Sequence, residues 1–519
     1  MMTDFEKKLT AREKKLLEGS SHQEALGWNY LRIVGEPYRR GFQHGFLLGE
    51  KIREHIDKNF KVAWFDTGNK PEFFYGTAER LWLDLIDDEF IEELQGIVDG
   101  VNRCESLSGK KPVGEYQPLT LSQLLAWNAF EELLYSWWPL EFANHNKNFF
   151  PRKSSEHCSA FIATGDATKS GETVVAHETW STYMFGAPQN LILDIQPEKG
   201  NQILMQGIFG YIYSGSDFFI TDNGIMGTET TMGGGFQGYD ENGTPLFYRA
   251  RKAMQYAESI DHWISIMKEQ NNGGIANSWL LGTTDSNEIV RFELGLKFIN
   301  IEKKDNYAFY GNNVATDPRI RNQECNDTQL YYDIRDSGSR HVRWIQLMGN
   351  LDKPEPFNKN PITEKDKKGE YYGKVDVENA MKMLGDHHDI YLFQKAQLVK
   401  DKEERKKLEK EAKNHPCGHT LCSHLDMDPA DPLSHAGQPP FYPWGSIDGK
   451  VVDAQLAGKM SFAARRGHPC GMPFDHNEFL EKHPQYNWLE GILESMPAND
   501  WAFCQKDHKP TKYPPKELK

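Results

Sequence analysis

The spacing of apolar residues changes period near residue 157, and that change restricts the chain to folds that join a helical segment to a strand-rich one. Before it, EPYRRGFQHGFLLGEKIREHI places Tyr38, Phe42, Phe46, Ile52 and Ile56 near one helical face. FIEELQGIVDGVN does the same with Ile91, Leu94, Val98 and Val101. Gly41, Gly45 and Gly49 stand four residues apart, a spacing that lets a second helix approach closely. Thr120 and Gln123 form a capping box ahead of LSQLLAWNAFEELLYSWW, whose all-round apolarity predicts a buried helix. From Cys158 the segments SAFIAT, TVVAHETW, NLILDIQP, QILMQG, DFFITDNGIMGTETTM, NSWLLGTT and EIVRFELG read as strands, with Asn223-Gly224 as a hairpin turn. Helical stretches at 247–269 and near 340–350 interrupt them. The pattern predicts an α+β sandwich in which a mainly helical segment, 1–157, and a β-rich segment, 158–519, belong to one structural unit.

Charge and composition narrow the function. The 519 residues carry a net charge of −15, so the chain has no excess of cations with which to bind a nucleic-acid backbone, and no such partner is expected. No apolar run reaches the roughly 18 residues a transmembrane helix needs. The first residues, MMTDFEKKLTAREKKLLEG, are charged and contain no apolar core of a signal peptide. A cytoplasmic location is the default expectation, with a secreted or lysosomal-like one if this start is not native. Seven cysteines are few and odd in number, which argues against a disulfide framework and leaves at least one thiol free. Oligomeric state has no signature in the sequence.

His157-Cys158-Ser159 opens the first strand of the β-rich segment, and the second strand carries His177 and Trp180. Taken alone, a cysteine ahead of apolar residues is more often a small core residue than a nucleophile. A rival cluster, HPCGHTLCSH, sets Cys417, His419, Cys422 and His424 close together. These are zinc-ligand types, but they lack the two separated pairs of common structural sites, so a loop with scattered polar residues is expected. GxSxG, HExxH and GxxxxGK[ST] are absent from the sequence.

Five strings in order give the chain a resemblance to the phospholipase B-like family of N-terminal-nucleophile (Ntn) hydrolases, and to the related penicillin acyltransferase family. They are GEPYRRGFQHGFLLGEKI, CSAFIATGD with AHETWSTY, GIMGTETTM, ANSWLLGTTDSNEIVRFEL and PPFYPWGSIDGKVVDAQLAGKMSFAARRGHPCGMPFD. The resemblance implies an αββα sandwich of two antiparallel sheets between helical layers. It also implies self-cleavage before Cys158, giving fragments of 157 and 362 residues. The new α-amine, with a reference pKa of about 7.7–8.0, then serves as base for the Cys158 thiol. The implied reaction is hydrolysis of an acyl ester or amide of a lipid or N-acyl amide through a cysteine thioester. Transfer of the acyl group to an amine and a catalytically silent binding protein of the same fold are the alternatives. The resemblance assigns Asn277 as oxyanion donor, where a cap or turn after Gly273-Gly274 is the plainer reading. His177 and Trp180 shape the pocket or simply fill the core. Thr230 and Thr231 lie on one strand, so only one of them faces the site. Arg340 and Arg343 suit a carboxylate or phosphate, or a structural ion pair. No cofactor and no metal are implied.

Overall fold

The computed structural model describes residues 7–108, 117–145, 157–215, 218–233, 238–325, 331–351, 361–429 and 439–515. The glycine spacing of the first segment has its expected consequence. The helix Pro37–Thr67 lies against the helix Asp88–Ser108 so closely that a Cβ at Gly41 would sit 1.9 Å from the Glu93 carbonyl oxygen. One at Gly45 would sit 2.0 Å from that of Ile97, and Gly96 and Gly100 of the second helix are equally confined. The Thr120–Gln123 capping box forms, but its helix runs only over Leu121–Asn128 before a wide turn of helix at Glu132–Trp137.

The first segment is not wholly helical. Ser21–Ala25 (β1) and Trp28–Gly35 (β2) form a hairpin turned by Leu26 and Gly27, both at positive φ. WNYLRIVG buries Trp28, Tyr30, Leu31 and Ile33, which is strand-like burial on both faces. β2 pairs in parallel with Leu191–Pro197 (β5), so the first sheet is mixed rather than antiparallel throughout. The other strands are His157–Ala163 (β3), Val174–Thr182 (β4), Ile203–Gly207 (β6), Phe218–Thr221 (β7), Ile225–Thr231 (β8), Asn277–Thr283 (β9), Ile289–Leu294 (β10), Ile299–Lys304 (β11), Ala308–Gly311 (β12), Trp444–Ser446 (β13), Asp448–Asp453 (β14), Ser461–Arg466 (β15), Ala502–Gln505 (β16) and His508–Lys512 (β17). They build a nine-stranded sheet, β1-β2-β5-β6-β7-β8-β9-β10-β11, and an eight-stranded sheet, β12-β3-β4-β14-β15-β16-β17, with β13 also on β4.

The two sheets face each other. Phe218 of β7 meets Phe462 of β15 with ring centroids 5.2 Å apart, and Arg291 of β10 lies 4.8 Å over the Phe309 ring of β12. Helices cover the outer faces. Trp279 of β9 packs on Trp263 of the helix Ile260–Lys268, and Phe161 of β3 packs on Trp344 of the helix Ser337–Met348. Side-chain alternation is thus anchored in both sheets: even-numbered residues of β3, β8 and β9 point between the sheets, and odd-numbered ones point to helices.

Candidate functional site

Cys158 is the second residue of β3 and is buried, with 5% of its surface exposed. It stands on the inter-sheet side with Ala160 and Ile162, the latter reaching toward Gly282 of β9. Its backbone N–H donates to Asn313 Oδ1 at 2.6 Å. Asn313 in turn donates from Nδ2 to the Thr231 carbonyl at 2.7 Å, so one carboxamide ties Cys158 to the facing sheet. Arg340 donates to the Cys158 carbonyl oxygen, to Asn313 Oδ1 (3.0 Å) and to the Asn312 carbonyl (3.0 Å). Its guanidinium lies 4.4 Å over the Trp180 ring. Burial pushes Arg340 down to about 10, and the neighbouring Asp336, Cys158 and Glu178 oppose that shift, so it remains a cation at neutral pH. Arg340, whose guanidinium chemistry suited either an anionic head group or a structural role, fixes the backbone around Cys158.

Cross-strand register puts Thr179 opposite Cys158 and His177 opposite Ala160, all on the inter-sheet face. Lys450 of β14 is paired with His177 in register and points the same way. Its ammonium donates to Thr179 Oγ1 (2.7 Å) and to Asp448 Oδ1 (2.7 Å). Asp448 also accepts from the Thr179 N–H (2.9 Å) and from Gln206 Nε2 of the other sheet (2.7 Å). Lys450 and Asp448 are wholly buried. Burial, reinforced by the Lys450 charge, holds His177 well below its ordinary pKa, so its ring is neutral. Facing this group from β8 are Thr228 and Thr230, whose hydroxyls have no hydrogen-bond partner among the described residues. Thr230 comes so near β12 that a Cβ at Gly311 would lie 2.5 Å from its methyl carbon. Of the two threonines, Thr230 is the one on the site face.

Other candidates are not brought to that face. Trp180 stands three residues after His177 and so projects to the opposite side of β4, where it donates to the Leu421 carbonyl (2.9 Å). Glu178 shares that outer side, and burial pushes its carboxyl well above the usual range. Thr231 and Asn277 are register partners on the face that β8 and β9 turn to helices. Asn277 is buried, with neither carboxamide atom hydrogen-bonded among the described residues. Arg343 forms a two-pronged bond to Asp386 (2.9 and 2.7 Å), which is an ion pair of the structure. Asn313, Lys450, Asp448 and Gln206 were not singled out from sequence. A signal did exist for two of them: Asp448 and Lys450 are two apart in SIDGKVVD, hence on one face of a strand that continues into Val451 and Val452.

A groove of about 720 Å³ is lined by Glu50, Lys51, His55, Lys58, Phe209 and Glu494 among others, and neither Cys158 nor Asn277 contributes to it. A smaller one of about 200 Å³ adjoins Asp389, His415, Cys417 and His419. Among the described residues no helix is long and apolar enough to cross a membrane.

The family model described as Phospholipase B matches residues 44–295, which include Cys158, the β3–β4 pair and β8 to β10. The chain is similar to the phospholipase B-like family over a little under half its length. Its kinship is distant. It is 27% identical over 313 residues to Phospholipase B-like protein C of Dictyostelium discoideum, covering 51% of this chain and 52% of that protein. It is 24% identical over 332 residues to Phospholipase B of Crotalus adamanteus, covering 61% and 53%. Phospholipase-B 81 of Drysdalia coronoides aligns over 91% of this chain and 85% of its own length at 23% identity. The first relatives are matched over about half their own length.

Proposed function

We propose that this phospholipase B-like chain is an αββα Ntn hydrolase that cuts itself before Cys158 and then hydrolyses acyl bonds of lipids through a Cys158 thioester. The observation that carries the reading is the clasp on the Cys158 backbone: its N–H is held by Asn313 and its carbonyl by Arg340. A nucleophile that is also a chain terminus needs its amine fixed, because the amine is the base. In the cut, the Cys158 sulfur attacks the His157 carbonyl carbon, the C–N bond breaks and the thiol proton goes to the departing nitrogen. Water then hydrolyses the resulting thioester, which leaves His157 as a carboxylic acid and restores the Cys158 thiol beside its free α-amine. Asn313 Oδ1 accepts one amine hydrogen, leaving the lone pair available for the thiol proton. The Arg340 cation disfavours protonation of that amine and holds it neutral near pH 7. The thiolate attacks the acyl carbon, the alcohol or amine leaves with the proton, and water releases the acid from the thioester. A lipid acyl ester is the substrate class suggested by the family, with N-acyl amides as the close variant.

The oxyanion donor is assigned between two groups. Asn277 is the family-based choice, and Thr230 is the one strand alternation directs toward Cys158. Loss of an oxyanion donor lowers kcat by about 10²–10³. Thr230→Val is expected to show that loss with cleavage intact, and Asn277→Ala tests the other assignment in the same assay. A catalytically silent relative is the second reading, motivated by the 5% exposure of Cys158. It predicts that Cys158→Ala changes no lipid hydrolysis and that iodoacetamide leaves Cys158 unlabelled.

A further inference from the structure

Cys422 and His424 of the HPCGHTLCSH string do not join Cys417 and His419. They meet His387 and Cys470, which lie about 40 residues to either side in sequence. His387 Nε2, Cys422 Sγ, His424 Nε2 and Cys470 Sγ all lie within 4.8 Å of one another. His387 comes from the link between the helices Val377–Leu384 and Ile390–Gln397, and Cys470 from the turn after β15. We propose that these four side chains form a structural zinc site.

Three features separate this cluster from a chance gathering. Both thiols converge on one nitrogen: Cys470 Sγ is 3.4 Å and Cys422 Sγ 3.7 Å from His424 Nε2. An imidazole nitrogen has one lone pair or one hydrogen, so it cannot bond both sulfurs, whereas a cation between all three satisfies each. The spacing also fits. Tetrahedral zinc with bonds of about 2.3 Å to sulfur and about 2.0–2.1 Å to nitrogen sets each S···N edge at about 3.5 Å. Finally, His387 is built as a ligand. Its Nδ1 faces Asn414 Oδ1 at 3.1 Å, which fixes the hydrogen on Nδ1 and leaves a lone pair on Nε2. That Nε2 is buried and has no hydrogen-bond partner among the described residues. The Met472 N–H points at Cys470 Sγ (3.4 Å), the kind of bond that steadies a metal thiolate.

Two thiolates and two imidazoles select zinc over calcium or magnesium, which take oxygen ligands. Both thiol protons pass to solvent on binding. With four protein ligands the site has no open position for water or substrate, so its role is to hold the fold. It pins the segment 386–388 and the loop 416–424 to the end of β15. The same loop accepts the Trp180 indole at the Leu421 carbonyl, and Trp180 carries Arg340. The metal thus braces the outer support of Cys158 without touching it.

The test is metal analysis of the full-length, tag-free protein purified without chelators. Roughly one zinc per chain is expected. Cys470→Ser and His424→Gln should each cut bound zinc about tenfold or more, while Cys417→Ser and His419→Gln leave it unchanged. Cobalt added to the metal-stripped chain should give the visible bands and thiolate charge-transfer absorption of a tetrahedral S₂N₂ site, a readout that does not depend on any variant folding. A metal-free chain with all its thiols titratable would overturn the proposal. So would a chain with two thiols missing, since Cys422 and Cys470 would then be a disulfide. Zinc retained in both Cys470→Ser and His424→Gln would place it elsewhere and also overturn it. None of these outcomes depends on Cys158 chemistry.

Discussion

Lys450→Met is a sharp probe of the polar group packed between the sheets. Lys450 and Asp448 are wholly buried and joined at 2.7 Å. Removing the ammonium leaves a carboxylate in the interior, and breaking such a pair costs about 3–5 kcal/mol. Asp448 retains two donors, the Thr179 N–H and Gln206 Nε2, so the low end of that range, about 3 kcal/mol, is expected. Asp448→Asn removes the charge but keeps only one of those acceptor contacts, because the Thr179 N–H bonds Oδ1 and Gln206 Nε2 bonds Oδ2. The double variant, Lys450→Met with Asp448→Asn, should therefore recover part of the loss, giving a coupling of about 1–3 kcal/mol. Urea titration of each variant in a Cys158→Ala background, followed by tryptophan fluorescence, measures this on an uncut chain. A Lys450→Met loss below about 1 kcal/mol, with additive single effects, would show that the pair is not sealed from water and would refute the reasoning.

Acid should destabilise the chain through its buried histidines. Burial pushes His44 to about 4, and its Nε2 accepts the Gly210 N–H at 3.1 Å, which a proton would abolish. The unfolded chain takes up that proton near pH 6.5 while the folded chain does not, so stability present above 6.5 falls as pH drops toward 4. The loss for this group is about 3 kcal/mol over that window, and His44→Gln should flatten the slope of denaturation midpoint against pH. An unchanged slope would assign the acid sensitivity to other groups. Gly45→Ala drives a methyl into the Ile97 carbonyl and should cost about 3 kcal/mol or more, whereas Gly76→Ala, with no atom within 4 Å, should stabilise by about 0.5–1 kcal/mol. Equal midpoints for the two variants would contradict the close helix crossing.

Much of the fold was legible because its signals are local. The glycines of the helix Pro37–Thr67, the Thr120 capping box, the Asn223-Gly224 hairpin and the period change at Cys158 each depend on a few adjacent residues. What escaped is long-range. The strand WNYLRIVG lies beside a strongly helical stretch, and its partner β5 comes about 160 residues later. Strand alternation required that only one of Thr230 and Thr231 point between the sheets, whereas Cys158 was marked by the family resemblance. Asn313 could not be found that way, since its tie to Cys158 spans 155 residues and no local pattern marks it. The grouping at His424 escaped for the same reason: His387 and Cys470, two of its four members, lie outside the string that drew attention to it.

The most direct test of the account is the N-terminal sequence and intact mass of the purified wild-type chain. Two fragments are expected, the larger beginning at Cys158, with Cys158→Ala remaining one chain and losing lipid hydrolysis. A wild-type enzyme that hydrolyses lipid while uncut, matched in rate by Cys158→Ala, would contradict it.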